Sequence, residues 1–157
     1  MKPIITLTLI ITSLSSAWCQ NFHPHSLEVD ETDSLYMLSI EAYIEFLEQE
    51  NRRGKTKTIY IKERSHTSAL PYQIKGNEIV KINSDNYKKH LKKNGNSMYV
   101  ITVRPLRLSE GVFYITLEPS YHRRKGIFRK SITRHSKFLV LFKYNQEHLE
   151  LYDTKAY

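Results

Sequence analysis

The apolar side chains Tyr36, Ile40, Tyr43, Ile44 and Leu47 fall at i, i+4, i+7, i+8 and i+11, with Glu41, Glu45 and Glu48 on another face, and the spacing stops at Gly54. Such a stripe predicts one long amphipathic helix from about Ser34, which must find an apolar surface to cover. Asp33 or Ser34 can cap its start by accepting a backbone N–H. Arg52 and Arg53 sit where the carbonyl end of the helix dipole favours cations, and Gly54 can take the left-handed stop.

Beyond Gly54 the period becomes two. Ile59 and Ile61 share one face of a strand, and Tyr72 to Lys75 with Glu78 to Ile82 predict a hairpin about Gly76-Asn77. Ser84 to Gly95 reads as a short basic helix, with Tyr87 and Leu91 at i, i+4 and a terminal glycine. Met98 to Arg104, Val112 to Leu117, Lys137 to Tyr144 and Leu149 to Asp153 are rich in Val, Ile, Phe, Tyr and Leu and predict four more strands. In Lys137 to Tyr144 most of both faces is apolar, which predicts a central strand covered on both sides. Short turns between consecutive strands argue for an antiparallel sheet. The expected class is α+β: one long N-terminal helix on a curved antiparallel sheet of about five or six strands, plus the short basic helix.

Over Ser34 to Asp153 this element order resembles the helix-on-curved-sheet layout of cystatin-like and nuclear-transport-factor-like domains. The resemblance implies a fold; it carries no residue role or activity, because such folds host unrelated functions.

Met1-Lys2-Pro3, the uncharged run Ile4 to Leu14 and the small polar stretch Ser15-Ser16-Ala17 have the three-part layout of an export signal. The 11-residue apolar run is well short of the roughly 20 residues a membrane-crossing helix needs. Cleavage fits after Ala17 or after Cys19, and the second removes the only cysteine. A lipid anchor on Cys19 is disfavoured by the bulky Trp18 before it. The expected organisation is a signal peptide over 1–19, a mobile acidic leader over 20–33 and one α+β domain over 34–157. A thiol-free exported domain must hold together by packing alone. The absence of any Asn-x-Ser/Thr site points to a periplasmic or bacterially secreted protein.

The chain carries a formal charge of +8, unevenly spread. Asn21 to Asn51 has eight acids and no Lys or Arg, whereas Arg52 to the end has 23 bases and eight acids. The densest basic stretch is Tyr121 to Lys137, inside a run from Glu118 to Glu147 with no acid. Arg123, Arg124, Lys125, Arg129, Lys130 and Arg134 are therefore the candidate anion-binding residues, for a polyanion, an anionic surface or an acidic protein. The plainer alternative is a solvated hairpin whose charges blunt a strand edge. Lys125-Gly126-Ile127-Phe128 only faintly echoes an RNA-binding signature, since an aromatic should follow the glycine, and export argues against a nucleic-acid partner. Lys88, Lys89, Lys92 and Lys93 surround their short helix and suit a solvated face.

Little else in the chain points to chemistry. His23-Pro24-His25 falls in the leader, and the remaining histidines lack the i, i+4 partner or the cysteines of a metal site. There is no Gly-x-Ser-x-Gly elbow and no glycine-rich phosphate loop. Glu110 and Glu118 bracket a strand, but surface pairing with nearby bases explains them better than glycoside hydrolysis. No catalytic residue, metal site or cofactor is expected. The function expected is a non-enzymatic exported binding domain, with a pocket between helix and sheet, for a small molecule or an enzyme's substrate, as the alternative. N-terminal sequencing of the exported product should start at Trp18 or Gln20; a full-length product in the cytosol would contradict the export reading.

Overall fold

The computed structural model describes residues 29–50, 58–125, 129–134, 137–145 and 148–157. Their order is α1 (Val29–Gln49), β1 (Thr58–Lys62), a 3₁₀ turn (Ser65–Thr67), β2 (Gln73–Ile74), β3 (Asn77–Ile82), α2 (Tyr87–Lys93), β4 (Ser97–Val103), β5 (Arg107–Ser109), β6 (Val112–Lys125), β7 (Arg129–Arg134), β8 (Phe138–Asn145) and β9 (His148–Ala156). The class is α+β, and the long helix is N-terminal. It starts at Val29, about one turn before the expected cap at Asp33 or Ser34. The expected signal peptide, His23-Pro24-His25 and the stop at Arg52 to Gly54 lie outside the described residues.

The nine described strands form one sheet in the order β2-β3-β1-β4-β6-β8-β9, with β5 and β7 both paired to β6. This is larger than the five or six strands expected, and it is mixed: β1 runs parallel to both β3 and β4. The all-antiparallel expectation, and with it the cystatin-like layout, is thereby corrected. The cause lies in two connections, residues 63–76 and 83–96, each 14 residues long and therefore able to cross over. The second contains α2, which carries the chain past β1 on the reverse face of the sheet. Where a two-residue loop does intervene, the expected hairpin forms: Ile74 pairs with Asn77 about Lys75 and Gly76, both at positive φ, which is the primed turn that suits strand twist.

The helical stripe does what its spacing requires. Tyr36, Ile40, Tyr43 and Ile44 are buried against Ile59, Ile61, Ile101, Val103, Ile115, Leu117 and the β8 residues Phe138, Val140 and Phe142. On the reverse face Leu91 of α2 joins Ile82, Met98 and Val100 in a second, smaller cluster. β8 is indeed flanked by two strands, but its second apolar face, Leu139 and Leu141, is only half-buried because α2 covers the other half of the sheet. α2 starts at Tyr87, later than the expected Ser84, after a turn in which the Asn83 side-chain oxygen accepts the backbone N–H groups of Asp85 and Asn86.

The 14-residue β6 is the spine of the sheet. On one side β4 and β5 lie end to end along it, on the other β7 and β8. Pro119 sits in the middle of this strand, which proline normally disrupts. Backbone bonds from Arg104 to the Thr116 carbonyl and from Arg124 to the Asn96 carbonyl point even-numbered residues of β6 toward β4. Position 119 therefore faces the other side, at the seam where β8 has ended at Leu117 and β7 has not yet begun at Ser120. No ladder bond is lost there, so a strand expected to end at Leu117 continues to Lys125.

Charged pairs finish the surface. Glu45 accepts from Lys75, and that hydrogen bond, with the nearby Glu41 and Glu48, raises the Lys75 pKa. The pair's stabilisation is thus complete below the ordinary lysine pKa and is lost only as pH rises through the raised value. Truncating Ile44, fully buried, to Ala should cost about 2–5 kcal/mol in chemical denaturation. Leu108→Ala, at a residue 59% exposed on β5, should stay within about 0.5 kcal/mol. Equal effects would show that the helix–sheet contact is not the core.

Candidate functional site

Two features meet at the seam of β6. The first is the β6–β7 arm. Arg123 and Arg124 are exposed and, as successive strand residues, point to opposite faces. Across the arm the backbone register sets Arg124 opposite Lys130, Lys125 opposite Arg129, and Ser120 opposite Arg134. The six candidate residues are thus gathered on one two-stranded segment, as expected. The side chains of Lys125, Arg129, Lys130 and Arg134 lie outside the described residues. Cationic positions opposed in this way repel unless an anion comes between them.

The acidic face of α1 does not answer this arm through its Glu45 pair, which lies at β2, with β3, β1 and β4 in between. Glu118 turns to Arg104, which donates through Nε and Nη2 at 3.0 and 2.7 Å, and Lys137 lies at 3.9 Å. That contact raises the Arg104 pKa and keeps its charge fixed. Glu110 occupies the tight β5–β6 turn at positive φ and is exposed. Glu118 is thus engaged by surface cations, and Glu110 sits in a turn. None of the described carboxylates pairs with Arg123.

The second feature lies where the alternative reading put a pocket, between helix and sheet, but its lining residues were not read from the sequence. Between the C-terminal end of α1 and the sheet lies an open cavity of about 720 Å³. Tyr43 and Phe46 of α1 face Tyr99, Tyr121 and Phe138 of the sheet across it. Rings meet at its walls: Tyr43 and Phe138 edge to face at 5.3 Å, Phe46 and Phe138 at 5.0 Å, and Tyr99 and Tyr121, cross-strand partners, at 4.9 Å. Tyr99 remains 56% exposed and Tyr157 67% exposed. The tyrosines looked like ordinary sheet residues in sequence because the residues that converge here come from α1, β4, β6, β8 and the C-terminus.

The cavity and the arm are continuous. Arg123 follows Tyr121 on the same face of β6 and lies directly across from Ser97, and both Tyr121 and Ser97 line the cavity. Lys137, just after β7, lines it from the seam beside Pro119. Glu50, at the end of α1, is the one acid among the lining residues described.

A polar chain on the opposite face deserves separation from catalysis. Ser120 donates to the Val100 carbonyl at 3.0 Å and lies 2.8 Å from His122 Nε2, while His122 Nδ1 lies 3.0 Å from the Tyr87 hydroxyl. With the serine proton committed to a carbonyl, Nε2 must donate and Nδ1 must accept from Tyr87. In this arrangement His122 does not accept the serine proton, and the chain fastens α2 to the start of the arm. His66 likewise donates Nε2–H to the Val103 carbonyl at 2.9 Å. Among the described residues no three His, Cys, Asp or Glu side chains gather as metal ligands, and no helix is long and apolar enough to cross a membrane.

No protein-family model, curated protein or solved structure matches the chain. Nitrogen-detected NMR should find neutral His122 protonated at Nε2, and Tyr87→Phe should cost about 0.5–1.5 kcal/mol. The Nδ1–H tautomer would contradict the assigned chain of donors.

Proposed function

We propose that the protein is an exported, non-enzymatic binding domain that engages an anionic partner through the β6–β7 arm. The observation that carries this reading is the placement of Arg123: exposed, unpaired with any described carboxylate, and followed by Arg124 and Lys125, which lie across from Lys130 and Arg129. Arginines so arranged offer forked donors to phosphate, sulfate or carboxylate, and the acid-free arm concentrates their field. The sheet supplies the rigidity. Residues 120–123 are held by β4 on one side and β7 on the other, so the cations stand on a paired strand and not on a free loop.

Replacing Arg123, Arg124, Arg129 and Lys130 by Gln should leave the thermal midpoint nearly unchanged and abolish retention on immobilised heparin at moderate salt. The same replacement of Lys88, Lys89, Lys92 and Lys93 on α2 should leave most retention in place. If both variants elute alike, net charge and not the arm is responsible, and the reading fails.

A further inference from the structure

We infer that the cavity beside the arm is a second half of the same site, and that the ligand class is a single-chain amphiphile with an anionic head. This rests on the arm reading for the head group and adds the apolar body. The volume of about 720 Å³ lies within the range of roughly 300–1,000 Å³ typical of small-molecule sites. Its walls are aromatic from both sides, Tyr43 and Phe46 above and Tyr99, Tyr121 and Phe138 below, which favours an apolar chain or ring over a sugar or free ion.

Charge sets the orientation. Lys137 lines the cavity at the seam, its ammonium nearest Glu118, and Arg123 stands one step beyond Tyr121 on the cavity face, so cations flank the aromatic walls. Lys137 is only loosely tied, with Glu118 at 3.9 Å and its own side chain largely exposed. The Arg104 guanidinium holds the other Glu118 oxygen, Oε2, through both Nε and Nη2. An anion can therefore take Lys137 without leaving a carboxylate unpaired. A cationic amphiphile would set like charges against Lys137 and Arg123.

Titration calorimetry of the mature chain with dodecyl phosphate, below its micelle concentration, should give one-to-one binding. Dodecyltrimethylammonium should bind at least about tenfold more weakly, and Lys137→Gln should lower dodecyl phosphate affinity several-fold while leaving dodecyl maltoside unchanged. Ser97→Trp, which fills the cavity from its half-buried wall, should abolish binding of the chain yet preserve heparin retention; should that variant not fold, Tyr99→Ala on the exposed wall should weaken binding several-fold. Absence of stoichiometric binding, equal affinity for the two charged amphiphiles, or full binding by folded Ser97→Trp would each overturn the inference. In the unsubstituted chain, absence of amphiphile binding alongside arm-dependent heparin retention refutes the cavity alone; heparin retention that does not depend on the arm, alongside intact amphiphile binding, refutes the arm alone.

Discussion

Burial of the α1 stripe against β6 and β8 is the contact on which the remaining structure depends. Ile40 and Ile44 are completely enclosed, as are Ile115, Leu117, Val140 and Phe142 opposite them. Each such side chain contributes about 1.5–3 kcal/mol of transfer free energy. Among the described residues there is no disulfide to share the task. Toward the end of α1, Tyr43 and Phe46 pack on Phe138 and line the cavity. The cavity is the region in which helix and sheet have begun to diverge.

β6 converts this packing into a site. Its first half belongs to the core, with Ile115 and Leu117 fully buried, and its second half carries Arg123 and Arg124 into solvent. A single strand thereby ties the orientation of the cationic arm to the most protected part of the molecule. Pro119 marks the handover. Its missing N–H would interrupt a continuous ladder, but at the seam between β8 and β7 it costs no partner. The opening leaves Lys137 beside both the cavity and Glu118. At the far edge, β9 carries an extra residue against β8 between Leu141 and Phe142, with the Lys143 ammonium 3.6 Å from the Tyr152 ring centroid. Such a bulge blunts an edge strand that would otherwise invite pairing.

What the sequence could reveal followed the range of each interaction. The α1 stripe, the β2–β3 hairpin and the clustering of bases at 123–134 are local patterns; stripe and bases appear where their spacing indicated, while the hairpin turns at Lys75-Gly76, one residue before the expected Gly76-Asn77. The parallel pairing of β1 was hidden because neighbours in space are not neighbours in sequence when a 14-residue connection separates them. β5 was too short to show a period, and β6 was expected to end at Leu117 because the gap that accommodates Pro119 exists only once β7 and β8 are both in place. A pocket between helix and sheet was the alternative reading, but its lining was illegible for the same reason. Tyr43, Tyr99, Tyr121 and Phe138 each fit an ordinary helix or strand position, and only the tertiary arrangement leaves them facing a common space.

The account stands or falls on whether aromatic walls and cationic arm act on one ligand. Intermolecular NOEs from bound dodecyl phosphate would settle it most directly. The account places the chain methylenes against the rings of Tyr99, Tyr121 and Phe138, with the phosphate shifting the Lys137 and Arg123 side-chain resonances. Chain contacts confined to the open reverse face of β8, around Leu139 and Leu141, would contradict it.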